Sequence, residues 1–414
     1  MKQLTFSVAC AMLFAFLVIN SANAQTPTSA AGTVDSTFTP GGKFNAQFFG
    51  DVYYKMHADS LARDNNGQYS GGGKATPNVP KNSNDFQLRR VYLGYNYDIS
   101  KSFTTEFLLA YEEGNAGSTL DASGERSIYM KLANIQWKNI YSNANLVFGA
   151  QATPGYVFTS EANWGYRSIE KTLTDKNGII KSSDLGLGLR GAFNDGKDYG
   201  YDLLLADGTG QKLPNLFTGP APSSGPANDN SGRNKKLYVD LWGKFMDKKI
   251  VVQAYFDDQK TSDFAPGTNV STLKFYAAYA TTPLTVGVEY FMQTQTNAAK
   301  DTSVKPAVSP DVKPNGLSIF ATAQLIENDL NIFARYDMFD PDNNFSSSAK
   351  YTTKPDITSG FAKTTFLVVG LDWTPYKNVH IMPNFWYQGY SPKASGSTAT
   401  DADIVPRITF FYKY

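Results

Sequence analysis

Few residues in this chain could do covalent chemistry. Its 414 residues include two histidines, His57 and His380, and one cysteine, Cys10. Nucleophilic hydrolysis needs a nucleophile, a base and a group that orients the base. The strand pattern described below places the two histidines at opposite rims, where they cannot share a site. Neither belongs to a G-x-S-x-G motif. No catalysis is expected. Gly71-Gly72-Gly73-Lys74 has the residue types of a phosphate cradle, but no strand precedes it and no helix follows, so it is not a P-loop. Asp337, Asp340 and Asp342 have the oxygen-rich look of a Ca²⁺ site without its full loop pattern. They read as a solvated strand end. Cys10 lies in the N-terminal leader, so the mature chain has neither a disulfide nor a thiolate ligand. No metal and no cofactor are expected.

The chemistry left is that of fixed charges. Arg90, Arg190, Lys244, Arg335, Asp337 and Arg407 occupy the polar phase of alternating strands. Glu161, Arg167 and Glu170 lie close together in one long loop. Charged side chains converging on a water-filled lumen act on ions and polar solutes by attraction and exclusion. The three loop ions have two readings: they form a constriction, or they pin the loop.

The elements that would carry these charges are strands. From Phe44 to Met56 apolar and polar residues alternate with period two, Phe44, Ala46, Phe48, Val52 and Tyr54 on one face and Asn45, Gln47, Asp51 and Lys55 on the other. The pattern recurs in Leu185–Phe193, Leu237–Phe245, Leu284–Met292, Leu330–Met338 and Ile404–Tyr414. About sixteen such segments are expected, an even number as single-chain bacterial barrels have. The stretch Ser127–Trp137 fits least well, because both of its faces mix polar and apolar residues.

The connections alternate in length. Short ones fall at 98–101, 138–143, 194–198, 247–249, 281–283, 327–329 and 375–378. Long ones fall near 57–85, 113–127, 152–183, 207–234, 258–270, 294–315, 340–363 and 389–402. The long ones are rich in turn-forming Gly, Asn, Ser, Pro and Asp. Tight turns at one rim and long loops at the other predict an all-β, transmembrane antiparallel β-barrel with short periplasmic turns and long extracellular loops. A propeller would repeat every ~40–50 residues, and no such repeat is present.

Composition agrees. Charged residues make up 18% of the chain, with 25 Tyr and 28 Phe, yet mean hydropathy is -0.34. Many aromatics with little bulk hydrophobicity suit a barrel whose alternate residues face lipid. Residues 1–24 read as a signal peptide, with Lys2, an apolar run from Leu4 to Ile19 and an Ala22-Asn23-Ala24 cleavage site. Residues 25–42 read as a flexible lead-in and 43–414 as the barrel. Of 38 basic and 37 acidic side chains, the leader removes one lysine. The balanced mature charge excludes the basic footprint of a nucleic-acid binder.

Lipid rejects charge, so each polar phase is assigned to the lumen. That gives cations Lys55, Arg90, Arg190, Lys236, Lys244, Lys274, Arg335, Arg407 and Lys413. It gives anions Asp51, Glu106, Glu112, Asp184, Asp202, Asp240, Asp257, Glu289, Asp337 and Asp372. The two sets nearly balance, which predicts weak selectivity. Arg89, adjacent to Arg90, falls on the lipid phase near the outer rim, where it would snorkel. Lumen aromatics Tyr238, Trp242, Tyr255 and Trp386 would stack on solutes or fill space.

Several stretches resemble the phosphate- and pyrophosphate-selective porins and their general-porin relatives. They are Phe86-Gln87-Leu88-Arg89-Arg90-Val91-Tyr92-Leu93-Gly94, Phe148–Gly155, Ser160-Glu161, Tyr166–Glu170, Asp184–Gly191 and Phe333–Asp337. The aromatic last residue, Tyr414, resembles an outer-membrane insertion signal. The resemblance implies a sixteen-stranded barrel, a homotrimer, and a third loop (near 152–183) folded inward to narrow the pore. The phosphate-selective members also carry a basic excess in the lumen, which this sequence lacks. The resulting expectation is an outer-membrane porin passing small polar solutes or anions, in contact with outer-membrane lipid and lipopolysaccharide. The competing expectation is a plugged barrel with a structural or partner-binding role.

Overall fold

The structure is a computed structural model. It describes residues 38–58, 81–112, 127–208, 234–262, 267–301, 305–345, 351–353, 362–393 and 401–414. The leader, and the lead-in up to residue 37, lie outside the described residues. The barrel body, Gly41–Tyr414, is one compact unit.

The strands are β1 (Gly41–Tyr54), β2 (Asn84–Asp98), β3 (Phe103–Glu112), β4 (Tyr129–Tyr141), β5 (Ala144–Ala152), β6 (Ser183–Ala192), β7 (Tyr199–Ala206), β8 (Lys236–Phe245) and β9 (Ile250–Ser262). They continue as β10 (Thr268–Ala280), β11 (Leu284–Thr296), β12 (Lys300–Asp301), β13 (Asn315–Ile326), β14 (Leu330–Asp340), β15 (Tyr351–Thr353), β16 (Ala362–Tyr376), β17 (Val379–Pro392) and β18 (Asp403–Lys413). Two short helices, α1 (Ser160–Trp164) and α2 (Leu173–Lys176), lie between β5 and β6. Every strand except β12 and β15 belongs to one closed antiparallel barrel, in which β1 pairs with β18. Closure leaves no unpaired sheet edge, which a chain surrounded by hydrocarbon requires. β12 and β15 pair with each other and so tie two of the long connections together.

The barrel is apolar outside and polar inside. In β11, Leu284, Val286, Val288, Tyr290 and Met292 are exposed while the alternate Glu289, Phe291 and Gln293 are buried. Near the short-turn rim the outer face carries ring pairs, Tyr95 with Tyr97 and Phe103 with Trp137. Exposed Phe245, Trp373 and Tyr376 extend this aromatic belt. The turns there are tight because asparagine tolerates the left-handed region. Asn139, Asn143, Asn328 and Asn378 all have positive φ, which lets the chain reverse within a few residues. The fifth long connection is shorter than the pattern suggested, since β9 runs to Ser262 and β10 begins at Thr268.

β-bulges break the alternation at two places that bear on the lumen charges. Phe49 pairs with Arg90 but Gly50 pairs with Leu88, so Arg89 is the extra residue in β2. Leu108 pairs with Leu132 but Leu109 pairs with Met130, so Lys131 is the extra residue in β4. A bulge lets two consecutive residues point to one face. This overturns the sequence-based assignment of Arg89 to the lipid phase: Arg89 and Arg90 both enter the lumen. It also explains why Ser127–Trp137 gave a mixed pattern, because Lys131 and Leu132 share the inner face.

Candidate functional site

The connection between β5 and β6, residues 153–182, lies inside the barrel. It is held by apolar packing and by buried charge. Tyr156, Leu173, Ile179 and Ile180 pack with Leu204, Tyr238, Tyr255, Phe291 and Phe339 of the wall. Trp164 and Ile169 pack with Tyr276, Phe320, Phe333, Phe366, Val368 and Met382. Tyr238 and Tyr255 are thus space-fillers beneath the loop rather than solute contacts.

Polar clasps fix the loop at several places. Lys274 of β10 is 0% exposed. Its ammonium donates to the Gly155 carbonyl (2.6 Å), Ser160 Oγ (3.0 Å) and Gln253 Oε1 (3.0 Å). Glu289 of β11 accepts from the Thr174 amide (3.2 Å) and lies 3.9 Å from Lys274. Arg89 donates to the Ser168 carbonyl (3.0 Å) and twice to the Ile169 carbonyl (2.9 and 2.7 Å). Tyr166 donates to Asp372 (3.2 Å), which also contacts His380 at 2.8 Å. A buried charge is costly unless paired and hydrogen-bonded, and Lys274, Glu289, Arg89 and Asp372 each gain at least one hydrogen bond from the loop.

The sequence-selected residues fall into distinct settings. Arg167 bridges Glu161 and Asp175, the latter at 2.7 Å, so it joins the two helical turns of the loop to each other. Glu170 is not its partner. Its side chain caps the Lys171 amide at 2.7 Å and its carbonyl accepts from Arg335 at 3.4 Å. Arg335 grips Asp337 through Nε and Nη2 and lies against the Trp164 and Phe366 rings. Arg407 pairs with Asp51 and stacks on Trp386, its guanidinium carbon 4.1 Å from the ring centroid. Arg190 pairs with Asp202 at 3.1 Å and donates to the Ala152 carbonyl at 2.7 Å. Arg90 is buried beside Phe49 and reaches Tyr92 Oη at 3.4 Å. Lys244 keeps the inner phase but is exposed beside Trp242 near the short-turn end of β8. It does not gather with the others.

Asp337, Asp340 and Asp342 do not form one cluster. Asp337 belongs to Arg335. Asp340 is paired with Lys393 at 2.6 Å and Lys363 at 3.2 Å. Asp342 accepts the Lys313 and Asn344 amides. Lysines and backbone amides thus engage Asp340 and Asp342. Among the described residues no group of acids and histidines could hold a metal ion. The histidines lie at opposite ends of β18, His57 opposite Ile404 and His380 opposite Phe411.

Sequence reasoning missed four members of the site. Arg89 and Lys131 are added by the bulges; Lys131 pairs with Glu112, which Tyr92 also contacts. Asp175 and Lys171 lie in the loop, where no periodicity marks a face. The Lys171 ammonium makes no hydrogen bond or ion pair among the described residues. It lies within electrostatic reach of Asp175, Arg90 and Arg167. Burial, then the neighbouring guanidinium groups, depress its pKa, while Asp175 opposes the shift. Burial would raise Glu170 and Asp175. For Glu170 the cations Lys176, Arg89 and Arg335 override it, and for Asp175 Arg167, Lys171 and Arg90 do, holding both acids below the usual carboxylate range. Burial lowers Lys176 to about 8 against the pull of Glu170 and Asp337. This stretch of the loop therefore carries closely set charges of both signs at neutral pH.

The fold is that of the sixteen-stranded outer-membrane porins. The chain is similar to an anion-selective porin from Comamonas acidovorans (12% identity, 91% of this chain and 100% of that one, TM-score 0.56). It is also similar to the outer-membrane channel DcaP of Acinetobacter baumannii (10%, 93% and 100%, 0.56). A third likeness is to Salmonella typhi OmpF solved with daunomycin (12%, 90% and 97%, 0.56). Neither a family model nor a curated protein matches the sequence.

Proposed function

We propose that this chain is an outer-membrane porin, a water-filled channel for passive diffusion of small polar solutes and ions, with weak preference for anions. The observation that carries this reading is the pairing of lumen charge. Asp51, Glu112, Asp202, Asp257 and Asp337 each have a Lys or Arg partner within ion-pair distance. A lining of neutralised pairs leaves no ring of one sign, which strong selectivity requires. Arg90 and Lys171, with no carboxylate of their own at ion-pair distance among the described residues, tip the balance towards anions. The apolar belt around the outside supports residence in a bilayer, and a barrel of sixteen strands supports an aqueous lumen. A homotrimer in contact with lipopolysaccharide, exported by cleavage after Ala24, completes the reading.

The test is a planar-bilayer recording of the refolded mature chain in a salt gradient. Stable steps with a small anion-directed reversal potential are expected. Lys171→Gln should move that potential towards zero or to the cation side. Strong anion selectivity unaffected by Lys171→Gln would refute the paired-lining argument. Silence from a correctly folded barrel would favour the plugged reading.

A further inference from the structure

Most of the inward loop is hidden against the wall, but one strip is not. Phe158 is 47% exposed. Ala162 and Gly165, four and seven residues further on, are also exposed. Ala162 lies in α1 and Gly165 caps it three residues later, on the same side of the turn, while Phe158 lies just before the helix begins. The strip is apolar, while the groups beside it are charged: Glu161 is neutralised by Arg167, and Arg190 stacks on the Phe158 ring at 4.7 Å.

Arg190 is half-buried and incompletely used. Its Nε engages Asp202 (3.1–3.3 Å), and its Nη2 engages Gln151 (3.2 Å) and the Ala152 carbonyl (2.7 Å). Its Nη1 has no partner among the described residues. The guanidinium is thus held in place by three groups and still offers one donor at the edge of an exposed ring. An aromatic face otherwise left to water, beside a fixed cation with a spare donor, matches a solute with one flat apolar part and one carboxylate. A cationic solute would meet the guanidinium already on the ring and be repelled. A small inorganic anion would gain nothing from the strip.

We propose that Phe158 and Arg190 form a binding step for small aromatic carboxylates on their passage through the channel. The carboxylate accepts from Arg190 Nη1 while the ring lies along Phe158, Ala162 and Gly165. This rests on the channel reading above, and goes beyond it by naming a solute class and the residues that select it.

The test uses the full mature chain refolded in detergent, with benzoate as probe, acetate as its apolar-free control and benzylammonium as its charge control. In single-channel recordings benzoate should interrupt the chloride current at a concentration about fivefold lower than acetate, the size expected of one aromatic contact. Phe158→Ala should abolish that difference and leave the open conductance at or above wild type. Phe158 is exposed, so this variant should fold. Arg190→Gln should weaken interruption by both carboxylates. Equal potency of benzoate and acetate on wild type would overturn the proposal. So would a benzoate advantage that survives Phe158→Ala, or equal potency of benzylammonium. If the barrel conducts nothing, the channel reading fails separately. Saturation-transfer NMR of benzoate on the same barrel then decides the site: Phe158-dependent transfer supports it, and its absence refutes it.

Discussion

Replacing Arg89 should free the tip of the inward loop. Arg89 makes three hydrogen bonds to the Ser168 and Ile169 carbonyls at 2.7–3.0 Å, and its side chain is 12% exposed. A hydrogen bond from a charged donor contributes ~1.5–3 kcal/mol net when buried. The figure is discounted here because the lumen admits water, which can rehydrate the released carbonyls. Asp51 keeps Arg407 and Thr409 as partners, so no carboxylate is orphaned. Arg89→Gln therefore removes about 3 kcal/mol from the clasp, a shift of about a hundredfold towards the released loop. Arg89→Lys restores the charge but not the planar fork, and should recover only part. The assay is single-channel noise together with trypsin cleavage at Arg167 or Lys171 in the folded barrel. Variants should show flickering current and faster cleavage while keeping the heat-modifiable mobility of a folded barrel. A quiet channel with wild-type protection in Arg89→Gln would refute the assignment of Arg89 to the lumen and the bulge that puts it there.

Three further outcomes are expected. Arg335→Met leaves the Asp337 carboxylate, 3% exposed, without its two-pronged partner; a loss of ~3–5 kcal/mol at most should lower the urea midpoint, and Arg335→Met with Asp337→Leu should recover most of it. Gly149 sits at φ 125°, and a Cβ there would meet the Ala133 carbonyl of β4; Gly149→Ala should cut folding yield, measured by heat-modifiable mobility. Lys176, with a pKa lowered to about 8, is disfavoured as a cation in the folded loop; its cost is fully present below pH 8 and is relieved as pH rises from there towards the unfolded value, so the loop should become better protected and the channel less anion-preferring across that window. Lys176→Met should flatten both pH dependences.

The barrel was legible in the sequence because its two signals are local. Period-two polarity in segments such as Leu284–Met292, and asparagine-rich turns such as the one before Leu330, need no knowledge of neighbours. The charge lining followed from the same rule: Asp51, Glu289, Arg335 and Arg407 lie inside because each keeps the phase of its strand. The loop was not legible in the same way. Its residues alternate with no fixed period. The partners of Arg167, namely Glu161 and Asp175, are chosen by the two short helices and not by strand spacing.

The failure at Arg89 shows where the local rule stops. Alternation assigns a face by counting, and a bulge adds one to the count. Nothing in Leu88-Arg89-Arg90-Val91 marks the extra residue, since two adjacent arginines read equally well as one inside and one snorkelling outside. The energetics separate the readings. An outward Arg89 would give up its hydrogen bonds to residues 168 and 169 and leave both carbonyls to water. An inward one costs a single ladder irregularity, between Phe49 and Gly50 on the partner strand. The loop therefore selects the bulge as much as the bulge holds the loop, and the same holds in β4, where Lys131 turns in to meet Glu112. Both bulges bring to the inner face a basic side chain, Arg89 or Lys131, that strict alternation would have sent to lipid or left ambiguous. A variant that removes the β2 bulge by deleting Arg89 should restore unbroken alternation around Arg90. It should keep the barrel and lose the clasp. Its channel should flicker as Arg89→Gln does, which distinguishes a loop held by one side chain from a loop held by the shape of the strand.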